Sequence, residues 1–327
     1  MRTVRQAPVW SLRQLLYFVT VAETGTITGA AELLVISPSS VAAAVEKLEH
    51  ALGVQLCVRR KAHGITLTAA GQDLLGRARA LLEEAEEVAE VGGGVGQAVG
   101  GNLTLGCYHT LAPTCLPPLL STFAREHPRV RTTFTEADQD SLQDGLDRGE
   151  LDVAVLYDMQ VRAGTASLEL FRTRPHVLLP AGHPLAGVAA VRLRDLAAEP
   201  FVLLDSPPSS QDAFSVFRQA GIEPQVRFRA GGLETVRALV GRGLGWSMLI
   251  QRPWSDRTYE GREVLVREIA DPVPEVRVLL AWSRRTPPTR AARAFARTAP
   301  TVFTTTSTST STSHAAVDDD EGEHRVR

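Results

Sequence analysis

The sequence predicts an N-terminal all-α winged helix–turn–helix with a linker helix, followed by an α/β domain on a mainly parallel sheet. Three observations carry this prediction. Apolar residues recur at helical spacing over residues 12–52, interrupted by cap and turn residues. A second helical stripe runs over 68–90, and strands alternate with helices from Gly101 onward.

Leu12, Leu15, Leu16, Val19 and Ala22 form one apolar stripe on a helix over Leu12–Glu23. Thr26-Ile27-Thr28 opens a short helix through Ala30, Ala31 and Leu34, and Val35-Ile36-Ser37 turns the chain. Ser37 caps the next helix, and Pro38 takes its first position, where a missing N–H costs nothing. That helix buries Val41, Val45 and Leu48 and stops at Gly53. A helix pair of this design sets its second member into a DNA major groove. Arg59-Arg60-Lys61 follows where a wing would bend, with His63-Gly64 at its tip.

At 327 residues with 44% hydrophobic content, the chain can carry a small module and a core-bearing domain. Its formal charge of −2 hides a polarity. Through Gln72 there are seven Lys or Arg against four Glu, a net of +3, whereas Asp73–Val91 holds six acids and two arginines, a net of −4. A basic head on an otherwise acidic chain suits a selective DNA binder better than a general nucleic-acid coat. The only lysines, Lys47 and Lys61, both lie in the head, which arginine-favouring codon usage explains. Residues 1–11 lack the apolar core of a secretory signal, and no run of roughly 18 apolar residues could span a membrane. Three cysteines make no secreted-type disulfide framework. The expectation is a cytoplasmic protein with no membrane partner.

Thr68 opens a long helix to about Glu90, in which Leu74, Ala78, Leu81, Ala85 and Val88 step by four and three as a dimerising seam. Glu83, Glu84, Glu86 and Glu87 face solvent in this reading. One amphipathic helix packed on its own chain is the alternative. Gly92-Gly93-Gly94-Val95-Gly96 ends the helix and reads as a hinge over 92–101. Beyond it come strands at Leu103–Cys107, Val130–Glu136 and Asp152–Leu156, with helices at Ala112–Glu126 and Ser141–Arg148 between them. A second set of strands covers Pro175–Leu179, Phe201–Leu204, Val226–Arg229 and Gly245–Leu249, with helices at Ser209–Ala220 and Leu233–Arg242. Val264–Ile269, Val276–Trp282 and a last helix at Thr289–Arg297 complete the domain. The tail over 301–327, alternating Thr and Ser before Asp318-Asp319-Asp320, has too little apolar content to fold and reads as disordered.

The head resembles the LysR-type transcriptional regulators. The resemblance rests on Leu15-x-x-Phe18, Gly25-Thr26-x-Thr28-x-Ala30-Ala31, Ser37 through Leu48-Glu49, Leu52-Gly53-Val54-x-Leu56, Arg59, and Leu67-Thr68-x-Ala70-Gly71. It implies a winged head over 1–71, a dimerising linker helix over 68–91, and a two-lobed, periplasmic-binding-protein-like (type 2) effector domain over 102–300. Lobe I is expected at about 102–159 and 268–300 and lobe II at about 160–267, with crossings near Asp158–Gly164 and Val266–Pro274. It further implies a homotetramer, paired heads on a dyad-symmetric DNA site, a small-molecule effector between the lobes, and contact with RNA polymerase.

The expected DNA-contacting set is Thr26, Thr28, Ser37, Pro38, Ser39, Ser40, Ala42, Lys47, Arg59, Arg60 and Lys61, with Thr28 and Ser37 assigned to phosphates. The family often has Gln-Pro where this chain has Pro38-Ser39, and Ser or Thr where it has Ala42. Few side chains remain for bidentate base readout, so selectivity leans on Ser39, Ser40, thymine-methyl contacts from Ala42 and Ala43, and DNA shape.

Effectors of open α/β sheets sit beyond the carboxyl ends of strands. Tyr108-His109-Thr110, Asp205-Ser206 with Ser209-Ser210, and Gly231-Gly232-Leu233 occupy such points, and helix capping is the competing explanation for each. By resemblance, Thr110 stands where the family often has an effector-binding Ser or Thr. A carboxylate at Asp205 disfavours a purely anionic ligand; a polar, zwitterionic or amine-bearing one fits better, with Arg229 as counter-charge.

Cys107 and Cys115 flank the first strand–helix loop. Some family members sense peroxide through a cysteine pair, but in the second lobe, so buried apolar thiols are the main reading and a thiol-redox regulator the alternative. Cys57 stands where the family usually has Phe, which leaves the wing's base less well packed. No cofactor, metal site or catalytic set is expected. HExxH and P-loop motifs are missing, and Gly241–Gly245 lacks the strand-before, helix-after context of a dinucleotide site. A solute-binding protein without a regulatory role is the remaining alternative.

Overall fold

The computed structural model describes residues 8–60, 64–92 and 99–304. In the head, α1 (Leu12–Thr24) starts with a capping box in which the Ser11 hydroxyl accepts the Gln14 N–H and the Gln14 side chain accepts the Ser11 N–H. Thr26 caps α2 (Ile27–Leu34) and Ser37 caps α3 (Pro38–Leu52), with Pro38 at the first position as the sequence predicts. The chain bends by 109° between α2 and α3. Strands β1 (Cys57–Arg60) and β2 (Gly64–Leu67) pair antiparallel as the wing.

Leu15, Phe18, Val19, Val21, Ala30, Ala31, Val41, Val45, Leu48 and Leu56 form the head's core. The predicted stripe on α1 is corrected in part. Leu12 and Leu16 are 44% and 41% exposed, because the core is reached through Phe18 and Val21. Cys57, 9% exposed, is packed into this core, so the wing's base is filled despite the smaller side chain.

The linker helix α4 (Ala69–Gly92) begins on the Leu67–Gly71 motif, whose purpose the packing explains. Thr68 Oγ1 donates to Gln55 O at 2.6 Å and accepts the Gly71 N–H at 3.0 Å, tying the helix start to the wing. A Cβ on Gly71 would lie 2.1 Å from Leu56 O, so only glycine lets the backbones meet.

In the effector domain, β3 (Gly100–Tyr108), α5 (Ala112–Glu126), β4 (Arg129–Ala137), α6 (Gln139–Asp147) and β5 (Val153–Tyr157) follow the predicted order. The next strand, β6 (Thr165–Thr173), corrects the lobe boundary. It pairs along its length with the penultimate element of the chain, β13 (Val276–Ser283), and so belongs to lobe I. The chain therefore leaves lobe I between Thr173 and His176 rather than at Asp158–Gly164. The alternation of Ala166, Leu168 and Leu170 is the signal that marks this half-buried strand.

Lobe II holds β7 (His176–Pro180), β8 (Ala190–Val191), β9 (Pro200–Leu204), α7 (Ser209–Gln219), β10 (Gln225–Ala230), α8 (Leu233–Gly241), β11 (Ser247–Leu249) and β12 (Val264–Ile269). The chain returns between Ile269 and Val276 to β13, and the described residues end with α9 (Arg290–Thr304), longer than predicted. Lobe I is a five-stranded sheet in the order β4-β3-β5-β13-β6; β4, β3 and β5 are parallel, and the returning β13 is antiparallel to both its neighbours. Lobe II carries a four-stranded sheet, β11-β7-β12-β8, beside the parallel pair β9-β10. The lobes have separate apolar clusters, with Ile250, just after β11, packed into that of lobe I. The wing tip at Lys61–His63, the glycine hinge around Gly93–Gly96 and the tail from 305 lie outside the described residues.

Candidate functional site

On α3, the face opposite its buried Val41, Val45 and Leu48 is open to solvent. Pro38, Ser39, Ser40, Ala43 and Lys47 are exposed on that helix, as are Glu46 and His50, while Ala42 is half-buried. The Ser37 hydroxyl is occupied locally: it accepts the Ser40 N–H at 3.2 Å and lies 3.0 Å and 2.8 Å from the Ser39 and Ser40 hydroxyls. Thr26 Oγ1 likewise accepts the Gly29 N–H at 3.0 Å, and Thr28 is exposed. These caps fix the helix ends whose outward N–H groups favour anions.

The wing is pinned at two points. Glu49 Oε1 accepts the Leu56 and Cys57 N–H groups at 2.7 Å and 2.9 Å, and the Ile65 N–H donates to Gly25 O at 2.7 Å. In the sequence Glu49 stands as an acid of the head and in the Leu48-Glu49 motif, with no contact assigned to it. Arg59 and Arg60 lie on β1 opposite Ile65 and Gly64, next to Lys61 outside the described residues.

The predicted seam on α4 is divided. Ala78 is 2% exposed and Leu74 half-buried, both within the head's own core beside Leu75 and Leu82. This half of the seam is used within the chain, because α4 lies along α1. Leu81 is 36% exposed, Ala85 is half-buried, and the Val88 side chain lies outside what is described.

The same helix docks on lobe I. Arg79 pairs with Glu23 of α1 at 3.0 Å and donates from Nη1 to the Gly149 carbonyl in the turn between α6 and β5. Gly149 has φ +67°, and a Cβ there would lie 2.8 Å from Gly76 Cα and 2.9 Å from Gly76 N. Two glycine backbones thus touch where linker and effector domain meet, with Thr286 beside them. A cavity of about 470 Å³ adjoins this joint, between Leu52, Val54 and Leu56 of the head and Asp147 and Arg285 of lobe I.

The predicted effector residues converge in part. Tyr108, at the carboxyl end of β3, is fully buried, and its hydroxyl reaches across to lobe II. It donates to Ser206 O at 3.1 Å and lies 2.5 Å from Ser206 Oγ and 3.3 Å from Ser209 Oγ. His109 Nε2 is 2.7 Å from Ser206 Oγ, and its Nδ1 is 3.3 Å from Ala137 O. Burial pushes the Tyr108 phenol above its ordinary pKa, opposed by the Ser206 and Ser209 hydrogen bonds. Thr110, only 3% exposed, sets its side chain beside the Tyr108 and Tyr157 hydroxyls.

Asp205 is placed differently. It follows β9, is largely exposed, and pairs with Arg229 at 3.6 Å. Gly231 and Gly232 are exposed just beyond the carboxyl end of β10, neighbouring Asp205, and Gly232 starts α8 without a side-chain cap. Leu233 is half-buried and packs against the smaller apolar cluster of lobe II.

The segment leaving β5, outside the predicted effector set, also reaches lobe II. Gln160 takes φ +55°, and the loop is held by the buried Gln139, which donates to Met159 O, and by the buried Gln143, which accepts the Arg162 N–H at 2.8 Å. The Gln160 side chain in turn bonds to Gln211 on α7.

Cys107 and Cys115 are free thiols, fully and almost fully buried. Burial pushes the Cys107 thiol well above its ordinary pKa, reinforced by Cys115 and Glu136, and raises Cys115 to about 12. Both stay protonated and poorly nucleophilic near neutral pH.

Comparison with known proteins agrees with this layout. Residues 12–72 match the family described as bacterial regulatory helix-turn-helix protein, lysR family, and residues 96–303 match the LysR substrate binding domain. The probable hydrogen peroxide-inducible genes activator of Streptomyces viridosporus is 33% identical over 89% of this chain and 93% of its own. The crystal structure of HinK, a LysR family transcriptional regulator from Pseudomonas aeruginosa, is 36% identical, covers 89% of this chain and 98% of that one, and superposes with a TM-score of 0.60. The C-terminal domain of a probable LysR family regulator from Rhodococcus sp. RHA1 is 48% identical over 62% of this chain and 99% of that one, with a TM-score of 0.60. The chain belongs to the LysR family: it is a DNA-binding transcriptional regulator with an effector-binding domain.

Proposed function

We propose that an effector enters between the lobes at the Tyr108–His109–Ser206 contact and that its binding is read out by the head through the joint of lobe I with α4. The observation that carries this reading is the direct hydrogen bonding of Tyr108 and His109 on lobe I to Ser206 on lobe II. A ligand that competes for those hydroxyls changes how the lobes meet, and it can switch the protein only through different affinities for the two arrangements. The start of α8, which has no side-chain cap, leaves backbone N–H groups open just beyond the carboxyl end of β10.

On DNA, α3 enters the major groove with Ser39, Ser40, Ala42 and Ala43 toward bases, and Thr26, Thr28, Ser37, Lys47, Arg59, Arg60 and Lys61 serve the backbone. Two heads, joined through the exposed part of α4 at Leu81, read a dyad-symmetric site, and two such dimers assemble as a tetramer. Its target being chromosomal DNA, the protein works in the cytoplasm, where it acts on RNA polymerase by altering DNA bending. Among the described residues no single helix is long and apolar enough to cross a membrane.

The peroxide-inducible relatives favour a second reading through Cys107 and Cys115. Their burial and raised thiol pKa weigh against it. Maleimide labelling of the native protein tests it: slow labelling is expected, and peroxide-dependent DNA binding lost on Cys107→Ser would support the redox reading.

Genome-wide footprinting of the purified protein over a salt series tests the main reading. A few protected dyad-symmetric sites are expected. Salt-sensitive binding without preferred sites would contradict sequence selectivity.

A further inference from the structure

The cavity of about 470 Å³ where head, linker and lobe I meet has an apolar wall and two unpaired cations. Leu52 and Val54 on that wall are 36% and 39% exposed. Arg77 of α4 and Arg285 of the β13–α9 turn have no ion pair among the described residues, and both are exposed. Of the two acids lining the cavity, Asp147 pairs with Arg162 at 3.4 Å, and Asp73 is exposed without an ion pair among the described residues. The unpaired groups therefore carry one net positive charge, and the exposed Arg284 beside Arg285 adds to it. The tail has the opposite sign. Residues 276–317 hold six arginines and no acid; Asp318-Asp319-Asp320-Glu321 and Glu323 then follow. Directly before these acids stands Ala315-Ala316-Val317, the tail's one apolar run. The reach is ample. α9 begins five residues after Arg285 and ends at Thr304, about 21 Å along its axis. The thirteen residues 305–317 can extend about 45 Å, roughly twice that distance.

We propose that this chain's own tail docks in the cavity, with Ala315-Ala316-Val317 on Leu52 and Val54 and Asp318-Asp319-Asp320 against Arg77 and Arg285. Exposed ion pairs are weak singly, but the tether makes docking intramolecular, so a few of them beside a small apolar contact suffice. The docked segment touches head, linker and lobe I at once and braces the joint between them.

The test uses the full chain. Its only lysines are Lys47 and Lys61, both in the head, so Arg285→Lys keeps the charge and sets a new amine at the cavity. Carbodiimide then couples amines to carboxylates in direct contact. Peptide mass spectrometry should find residue 285 joined to an acid of 318–323, in a product that migrates at the mass of one chain. In the same background Arg77→Glu should lower that coupling about three-fold to five-fold. Arg194→Lys, exposed on lobe II, serves as control and should give no coupling to the tail. Absence of the link from residue 285 to the tail would overturn the proposal, as would equal coupling in Arg194→Lys. Tail acids joined only to Lys47 or Lys61 would put them on the head instead, and a product of twice the mass alone would put them on another copy; either result would overturn it too.

Discussion

The effector domain has two joints, and they are built from different materials. Between the lobes, the polar contacts run through side chains: hydroxyls of Tyr108, Ser206 and Ser209, the His109 ring, the Gln160–Gln211 amides and Gln251 with Thr114. Between lobe I and the linker, the contact is backbone to backbone, with Gly149 against Gly76 and the Arg79 fork closing it. Each hydrogen bond of the first kind is worth about 0.5–1.5 kcal/mol net, and a polar ligand can replace it with bonds of its own. The second kind is steric, and nothing small can substitute for a missing Cβ. The soft joint suits sensing and the stiff one transmission.

Breaking the stiff joint should have the largest effect. Gly149→Val puts a β-branched residue at φ +67° and a Cβ against the Gly76 backbone. A cost of about 3 kcal/mol is expected, read as a lowered urea midpoint. The soft joint should yield less. Tyr108→Phe leaves Ser206 and Ser209 short of a partner, at a cost of about 1–3 kcal/mol, with a larger radius of gyration in small-angle scattering as the lobes part. A scattering curve identical to the parent's would show that the clasp does not hold the lobes.

The head's own caps and DNA contacts can be tested apart from both joints. Ser37→Ala removes the α3 cap and should cost about 1 kcal/mol in a thermal melt, without changing any response to effector. Lys47→Ala should leave stability alone and flatten the salt dependence of DNA binding by about one unit of slope. An unchanged slope would take Lys47 off the phosphate backbone.

The contrast between head and cleft also explains what could be read in the sequence. Each cap in the head joins residues three apart, such as Ser11 with Gln14 and Ser37 with Ser40, so propensity and spacing expose them. The wing's tie to Glu49 spans seven and eight residues and was already illegible as a contact. In the cleft, Tyr108 and Ser206 are 98 residues apart; each was marked as a strand-end polar group, but nothing local says that they bond to each other. β6 was missed because its partner, β13, arrives about a hundred residues later, and the alternation of Leu168 and Leu170 alone does not say in which lobe it lies. The seam on α4 was visible as a stripe, yet the stripe does not tell whether Leu74 and Ala78 meet a partner chain or their own α1.

The measurement that tests the account most directly is a double-mutant footprint. Gly76→Leu keeps helix propensity in α4 but places a side chain where Thr286 and Gly149 now sit, so it should pry the stiff joint apart without unfolding the helix. DNase protection on a selected site would be recorded for the parent chain, Tyr108→Phe, Gly76→Leu and the double variant. The account predicts that Tyr108→Phe alters the footprint and that the double variant matches Gly76→Leu alone, because the signal from the lobes no longer reaches the heads. A Tyr108→Phe change that persists undiminished in the double variant would contradict transmission through this joint.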